Sequence, residues 1–229
     1  MKTIVIRLLG VVLGTGFLLT AQAADKSLAS EKEKFSYAVG VNMGMSLQQQ
    51  GVADIDTDAL AQAIGDVLSG RELRMTPQEM EAAFQAFQKQ AEAAQAEAAQ
   101  KAKAAGDKYR SEFKKKKGVK ALPSGILYEV LRAGKGKKPA VTDTVTVHYE
   151  GSLISGQVFD SSVKRGQPAS FSVNGVIKGW QEVVPMMPVG SKWRVVIPPE
   201  LAYGEQGAGR VIGPNETLVF EIELLSIKE

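Results

Sequence analysis

Apolar positions in the first part of the chain recur every three or four residues. Phe35, Val39 and Met43 fall on one face of a predicted helix, and residues 59–68 form a second, shorter amphipathic segment. Two such helices bury too little apolar surface for an independent core. We therefore expect residues 24–75 to form a helical domain that pairs with a second copy of the chain.

A long helix is predicted next. The stretch TPQE, which begins at Thr76, is a capping box with proline at the first helical position. The apolar seam of this helix continues after residue 91 only as alanines, so we expect residues 76–117 to form a solvated connecting helix. Glycine weakens helices, and we expect bending near Gly106 or at Gly118.

In the last part of the chain, short runs of alternating apolar and polar residues are separated by glycine and proline. Apolar and polar residues alternate over 145–150, 193–197 and 218–224, as in half-buried strands. Residues 176–184 are long enough for one short helix. These features predict an α+β domain with an antiparallel sheet over residues 118–229.

Residues 1–23 have the three parts of a secretory signal peptide: a basic start, the apolar run 8–19, and an Ala-Gln-Ala ending. That run is shorter than the roughly 20 residues a membrane span needs. No later stretch is long and apolar enough either, so we expect no integral membrane segment after cleavage. The sequence therefore predicts export.

Charge and cysteine content exclude several classes of function. Removal of the signal peptide with Lys2 and Arg7 lowers the formal net charge from +3 to about +1, which argues against a nucleic-acid partner. The chain has no cysteine, which excludes disulfides, thiol catalysis and thiolate metal sites.

The only histidine, His148, precedes Tyr149 and lies twelve residues before Asp160, with serines nearby, a set that suggests a hydrolase. Neighbouring strand residues point to opposite faces, so His148 points away from the apolar face of Tyr149. No second histidine completes a metal site, and no GxSxG stretch accompanies the serines. We therefore expect neither hydrolase chemistry nor a metal or cofactor.

An aromatic set remains on the apolar side of the predicted domain. On the residues alone it has two interpretations, a plain hydrophobic core or a binding pocket. The set comprises Tyr149, Phe159, Trp180, Tyr203 and Phe220, with Val176 and Ile177.

The order and spacing of VHYEG, FDSS, VIKGW, LAYG and TLVFEIELL resemble the FKBP-type peptidyl-prolyl isomerase domain throughout residues 122–229. The resemblance implies a bent antiparallel sheet that wraps a short helix, with the active pocket between them. It also implies no cofactor, substrates that are proline-containing peptides and unfolded exported proteins, and macrolide immunosuppressants as inhibitors. Trp180 would floor the pocket, Asp160 would be its one acidic group, and the walls would be Tyr149, Phe159, Val176, Ile177, Tyr203 and Phe220.

The signal peptide, short helices and long helix resemble the macrophage infectivity potentiator (Mip) branch of that family. This resemblance implies a homodimer of intertwined N-terminal helices in the periplasm, or at the outer membrane or cell surface, of a Gram-negative bacterium. Ala169 and Ala208 stand where many members have an aromatic residue and a histidine. They predict a smaller, less polar pocket rim and leave substrate preference and macrolide affinity open.

Two alternatives to isomerisation with chaperone activity stay open on the sequence. The chain fits a dimeric periplasmic chaperone, or an adhesion or virulence factor, that binds proline segments with little turnover. The N-terminal helices also fit the role of the functional surface, with the C-terminal domain as a spacer. Asp160 either orients the pocket rim or polarises the rotating carbonyl.

Overall fold

The computed structural model describes residues 28–52 and 54–228, and the predicted signal peptide, residues 1–23, lies outside them. The chain divides into two compact units, one up to Arg74 and the other from Met75 onward.

The described residues of the first unit form two helices, α1 (Glu31–Gln49) and α2 (Thr57–Leu68). In α2, Asp66 is buried and forms ion pairs with Arg71 at 2.9 Å and Arg74 at 3.1 Å, which fasten the following chain to the helix. None of the described residues of α1 is buried. Among the residues that the structure describes, the apolar side chains of α1 therefore have no closed core.

Helix α3 (Pro77–Lys114) begins where the capping box predicts. The Thr76 hydroxyl accepts from the Glu79 N–H at 3.3 Å, and the Glu79 carboxylate accepts from the Thr76 N–H at 2.8 Å. Alanine and the unbranched side chains that follow favour helix, and α3 runs through Gly106 without a break.

The described residues of the second unit also form seven strands: β1 (Val119–Ala121), β2 (Leu127–Arg132), β3 (Thr144–Leu153), β4 (Val158–Ser161), β5 (Ala169–Ser172), β6 (Lys192–Ile197) and β7 (Leu218–Lys228). They make an antiparallel sheet in the order β1-β2-β6-β7-β3-β4, with β5 beside the first half of β3. The predicted antiparallel α+β fold is confirmed.

The main core lies between the inner face of the sheet and the short helix α4 (Lys178–Val183). Along β3, inward residues such as Val145 and Val147 are fully buried, and they alternate with half-buried polar residues. Trp180 and Val183 from α4 belong to the same buried cluster. The sheet and α4 therefore enclose one apolar interior.

The last turns of α3 pack on the outer face of the sheet. Phe113 is 1% exposed and lies against Leu127 of β2 and Val196 of β6. A Cβ atom on Gly106 would lie 2.3 Å from the Thr217 hydroxyl. Glycine is required at this position because α3 touches the chain just before β7.

The expectation of a hinge at Gly106 or Gly118 is wrong. Gly106 is buried. One helical turn after it, the Arg110 guanidinium donates a hydrogen bond to the Thr217 hydroxyl. Gly118 has a φ of +90° and lies between the docked Phe113 and strand β1, which is paired with β2. Neither glycine can bend freely while Phe113 stays buried.

Candidate active site

A cavity of about 360 Å³ opens between the inner face of the sheet and α4. The structure brings all eight predicted site residues to its walls. The lining residues are Tyr149, Phe159, Asp160, Phe171, Gly175, Val176, Ile177, Trp180, Tyr203 and Phe220.

Trp180 forms the floor of the cavity and is 4% exposed. The rings of Tyr149 and Phe220 each lie 5.4 Å from the Trp180 ring and nearly perpendicular to it. The ring of Phe171 lies 5.9 Å away, also edge to face. Edge-to-face pairs contribute about 0.5–1.5 kcal/mol each beyond their buried area, so the three walls hold the indole in one orientation.

A glycine on β3 makes room for the far wall. Residues 149 and 151 point to the same face, and a Cβ atom on Gly151 would lie 2.7 Å from the rings of Phe159 and Phe220. Those two rings pack edge to face with centroids 5.7 Å apart. The glycine of the VHYEG stretch is therefore required by the aromatic wall.

One corner of the cavity is polar. The Tyr149 hydroxyl donates a hydrogen bond to one Asp160 oxygen, and Arg165 forms an ion pair with the other. Arg165 also donates to the Tyr149 hydroxyl at 3.0 Å, and its guanidinium lies 5.7 Å from the centre of the tyrosine ring. The three side chains form a closed network.

This network sets the protonation states of the corner. Burial opposes ionisation of Asp160, but hydrogen bonds from Tyr149 and Arg165 outweigh it and lower the pKa of Asp160 below its ordinary value of 3.8. Burial, followed by the hydrogen bond to Asp160, raises the pKa of Tyr149 above its ordinary value of 10.0. At neutral pH the corner therefore holds a carboxylate, a neutral phenol and a guanidinium, and neither the carboxylate nor the phenol is poised to exchange a proton.

His148 lies on the opposite face of β3, as the alternation predicts. Its Nδ1 atom is 3.1 Å from the Ser162 hydroxyl, which also accepts a hydrogen bond from the Tyr149 N–H at 2.8 Å. Within residues 28–52 and 54–228, no group of three or more histidine or acidic side chains has an arrangement that could hold a metal ion.

Tyr203 forms part of the rim and is 39% exposed. Ala208, in the loop that follows, pairs with Ile212 through hydrogen bonds in both directions, at 2.8 and 3.2 Å. Ala169 packs against the core at the start of β5. Neither alanine lines the cavity, so the rim next to them is formed by Tyr203 and Phe171.

Two family models match the chain. One, FKBP-type peptidyl-prolyl cis-trans isomerase, matches residues 135–225. The other, the domain amino terminal to FKBP-type peptidyl-prolyl isomerase, matches residues 32–130.

Similar proteins match over nearly the whole length of the chain. Outer membrane protein MIP of Legionella longbeachae is 42% identical, over 100% of this chain and 98% of its own. Peptidyl-prolyl cis-trans isomerase Mip of Coxiella burnetii is 44% identical, over 96% and 95%. The chain belongs to the FKBP-type peptidyl-prolyl cis-trans isomerases. Among solved structures, the crystal structure of FkpA from Escherichia coli matches this isomerase with a TM-score of 0.65 and 39% identity, covering 88% of this chain and 99% of that one.

Besides Gly175, which lines the cavity with its backbone, two side chains of the isomerase site are absent from the predicted set. Phe171 could have been found from the sequence. It lies two residues after Ala169, which the family resemblance places at the pocket rim, and residues two apart in a strand point to the same face. Arg165 has no sequence signal, because it lies in an irregular segment between β4 and β5. Only the folded chain brings its guanidinium to Asp160.

None of the helices in the part of the chain that the structure describes is long and apolar enough to cross a membrane.

Proposed function

We propose that this isomerase rotates X–Pro bonds in the cavity above Trp180 without acid–base or covalent chemistry. The observation that carries the proposal is the composition of the cavity wall. The wall is aromatic and aliphatic apart from one polar corner. The carboxylate of that corner, Asp160, is already bound by Tyr149 and Arg165.

The physics of the imide bond explains why such a wall is sufficient. Amide resonance gives a rotation barrier of about 18–20 kcal/mol, so uncatalysed isomerisation takes tens to hundreds of seconds. At the twisted geometry resonance is lost and the carbonyl becomes less polar. An apolar cavity disfavours the charge-separated planar form relative to the twisted one. Binding that favours the twisted form lowers the barrier without breaking a bond.

Two groups are proposed to hold the substrate backbone while the imide turns. The Ile177 N–H lies in the segment that lines the cavity, and it has no acceptor within residues 28–52 and 54–228. The Tyr203 hydroxyl stands at the rim. Asp160 is assigned the role of orienting the Tyr149 hydroxyl, since Arg165 balances its charge.

Single substitutions test the proposal in a proline-isomerisation assay on short peptides. Tyr203→Phe should lower kcat/KM by roughly three- to tenfold, for the loss of one hydrogen bond. Asp160→Leu removes the partner of both Tyr149 and Arg165 and should lower kcat/KM at least as much. His148→Ala is the control, because its side chain lies on the other face of β3, and it should stay within about twofold of wild type. Circular dichroism checks that each variant folds.

A large loss in His148→Ala, with Tyr203→Phe and Asp160→Leu unchanged, would contradict the assignment of the cavity. Tight binding of proline peptides with little turnover by the wild type would support the alternative of a binding module.

The wider role is also a proposal. We infer that the chain forms a homodimer through residues 24–75, because α1 and α2 border an apolar groove of about 540 Å³. The dimer is proposed to assist the folding of exported proteins, and the cavity to accept macrolide immunosuppressants as inhibitors. The predicted signal peptide, together with a relative that is named an outer membrane protein, supports the periplasm or outer membrane of a Gram-negative bacterium as its location.

A further inference from the structure

A glutamine on α4 is bound to the backbone of the cavity wall. The side-chain amide of Gln181 donates one hydrogen bond to the Val176 carbonyl at 2.7 Å and a second to the Asn174 carbonyl at 3.3 Å. Both hydrogens of the amide group are thereby used. Gln181 belongs neither to the aromatic wall nor to the polar corner of the cavity.

The geometry of the peptide unit links this contact to the cavity. The Val176 carbonyl and the Ile177 N–H belong to one planar peptide unit, and in a trans peptide they point in opposite directions. All peptide bonds of the described residues are trans. A hydrogen bond that holds the Val176 carbonyl therefore also fixes the direction of the Ile177 N–H.

The other side of Ile177 is fixed independently. Its carbonyl accepts hydrogen bonds from the Trp180 N–H at 2.9 Å and the Gln181 N–H at 3.1 Å, at the start of α4. With the carbonyl of Ile177 held by the helix, the preceding peptide unit is the remaining part of this wall that can rotate. Gln181 holds that unit.

We infer that Gln181 is a positioning residue, which through the Val176 carbonyl holds the Ile177 N–H toward the substrate backbone. This inference rests on the proposed function of the cavity. It names a side chain that does not touch the substrate and that acts by keeping a backbone donor in place before the peptide binds.

The chemistry of the contact requires a hydrogen-bond donor at position 181. Gln181→Ala removes both hydrogen bonds. Gln181→Glu keeps the size of the side chain, but when ionised it places acceptor oxygens opposite two carbonyl oxygens. Protonation returns one donor. The two variants therefore differ in a way that pH can reveal.

Kinetics on the full chain provide the first test. Gln181→Ala should raise KM for a short proline peptide roughly three- to tenfold, the range for one net hydrogen bond, with kcat within about twofold of wild type. Lys178→Ala, an exposed residue of the same helix, is the matched control and should match the wild type. A lower melting temperature for Gln181→Ala with unchanged KM would mean a purely structural role and would overturn the inference.

A pH series provides the second test, in a protease-free exchange assay. For Gln181→Glu, KM should be at least as high as for Gln181→Ala at neutral pH. It should fall toward the wild-type value as pH approaches the ordinary glutamate pKa of about 4.3. Wild type and Gln181→Ala should show no such trend, and a flat profile for Gln181→Glu would count against the inference.

The amide signal of Ile177 in nuclear magnetic resonance separates this inference from the proposed function. A proline peptide should shift the signal in wild type and shift it less in Gln181→Ala. Equal shifts in both proteins would remove only the role of Gln181. No shift in wild type would contradict the role of the Ile177 N–H in substrate binding, and the inference would fall with it.

Discussion

Arg165 changes what Asp160 can do in the cavity. An aspartate in an aromatic pocket would ordinarily resist ionisation, because burial disfavours the charged form. Here a guanidinium and a phenol hydroxyl both bind the carboxylate, and its pKa is lowered instead. Both charged side chains are also partly exposed, so solvent screens their attraction and the pair adds only modestly to stability. Its main effect is to fix the Tyr149 hydroxyl.

The lowered pKa of Asp160 predicts how stability depends on pH. In the window between the two pKa values, the unfolded chain binds more protons at residue 160 than the folded chain does. The contribution of Asp160 is therefore complete above the unfolded value of 3.8 and is lost as pH falls through the lower folded value.

Denaturant unfolding of wild type and Asp160→Asn at a series of pH values tests this contribution of Asp160 to stability. The difference in the free energy of unfolding between the two proteins should shrink below about pH 4. A difference that stays constant down to about pH 2 would contradict the lowered pKa.

Among the helices and strands, the end of α3 belongs to the isomerase domain. Phe113 packs against the outer face of the sheet, and Gly106 and Arg110 contact Thr217, which directly precedes β7. Strand β7 carries Phe220 of the cavity wall. The helix that sequence patterning treats as a connection therefore supports the strand that forms one side of the site.

Two phenylalanines of α3 provide a matched pair to test this support in the fragment 75–229, which forms one compact unit. Phe113→Ala should lower the free energy of unfolding by about 3–5 kcal/mol, because it leaves a cavity in a closed cluster. Phe84 is 73% exposed, and Phe84→Ala should change the free energy of unfolding by less than about 0.5 kcal/mol.

Denaturant unfolding of the two variants gives the comparison. The fragment 118–229, which lacks Phe113 altogether, should be destabilised at least as much as Phe113→Ala. Equal stability of the fragments 75–229 and 118–229 would show that α3 is a connection only.

For the complete protein, the first unit raises the question of what covers its apolar face. Phe35 on α1 is 71% exposed, and Met43, Leu60 and Ile64 border the apolar groove. A helical unit of this size buries too little surface to be stable alone, and pairing with a second copy would cover that face. A dimer would also place two cavities on one client, which raises the effective concentration of the second cavity without any new contact.

Met43→Glu tests the dimer and its purpose together. In analytical ultracentrifugation the wild type should sediment as a dimer and Met43→Glu as a monomer, because the new charge lies in the apolar groove. Gln95→Glu introduces the same charge on the exposed part of α3 and should stay dimeric.

Activity on two substrates then distinguishes the roles of the two units. Per cavity, Met43→Glu should keep the wild-type rate on short peptides and lose most of its effect on the refolding of a proline-limited protein. A monomeric wild type would rule out the dimer. Equal rates of refolding for both proteins would leave the N-terminal helices without a part in client capture.

Elements with local signals could be predicted from the amino-acid sequence alone. The capping box at Thr76 set the start of α3, and the alternation around Tyr149 set the inward face of β3 and excluded His148 from the cavity. The aromatic set was also visible in the sequence, but only the resemblance of its motifs to the FKBP-type family favoured a pocket over a plain core. The predictions from the capping box and the alternation hold in the folded protein, because a helix cap and a strand face depend on residues only a few positions apart.

Contacts between residues that are distant in the chain, or that lie in irregular segments, became visible only in the folded protein. Arg165 has no periodic signal, and its role depends on where the segment after β4 returns to β3. Gly106 has the sequence signal of a weak point in a helix, yet Thr217, more than a hundred residues later, makes glycine the only residue that fits there. Gln181 acts through the direction of a single carbonyl group. Such effects depend on distances of a few ångströms between separate elements, and the pattern of apolar and polar residues does not encode them.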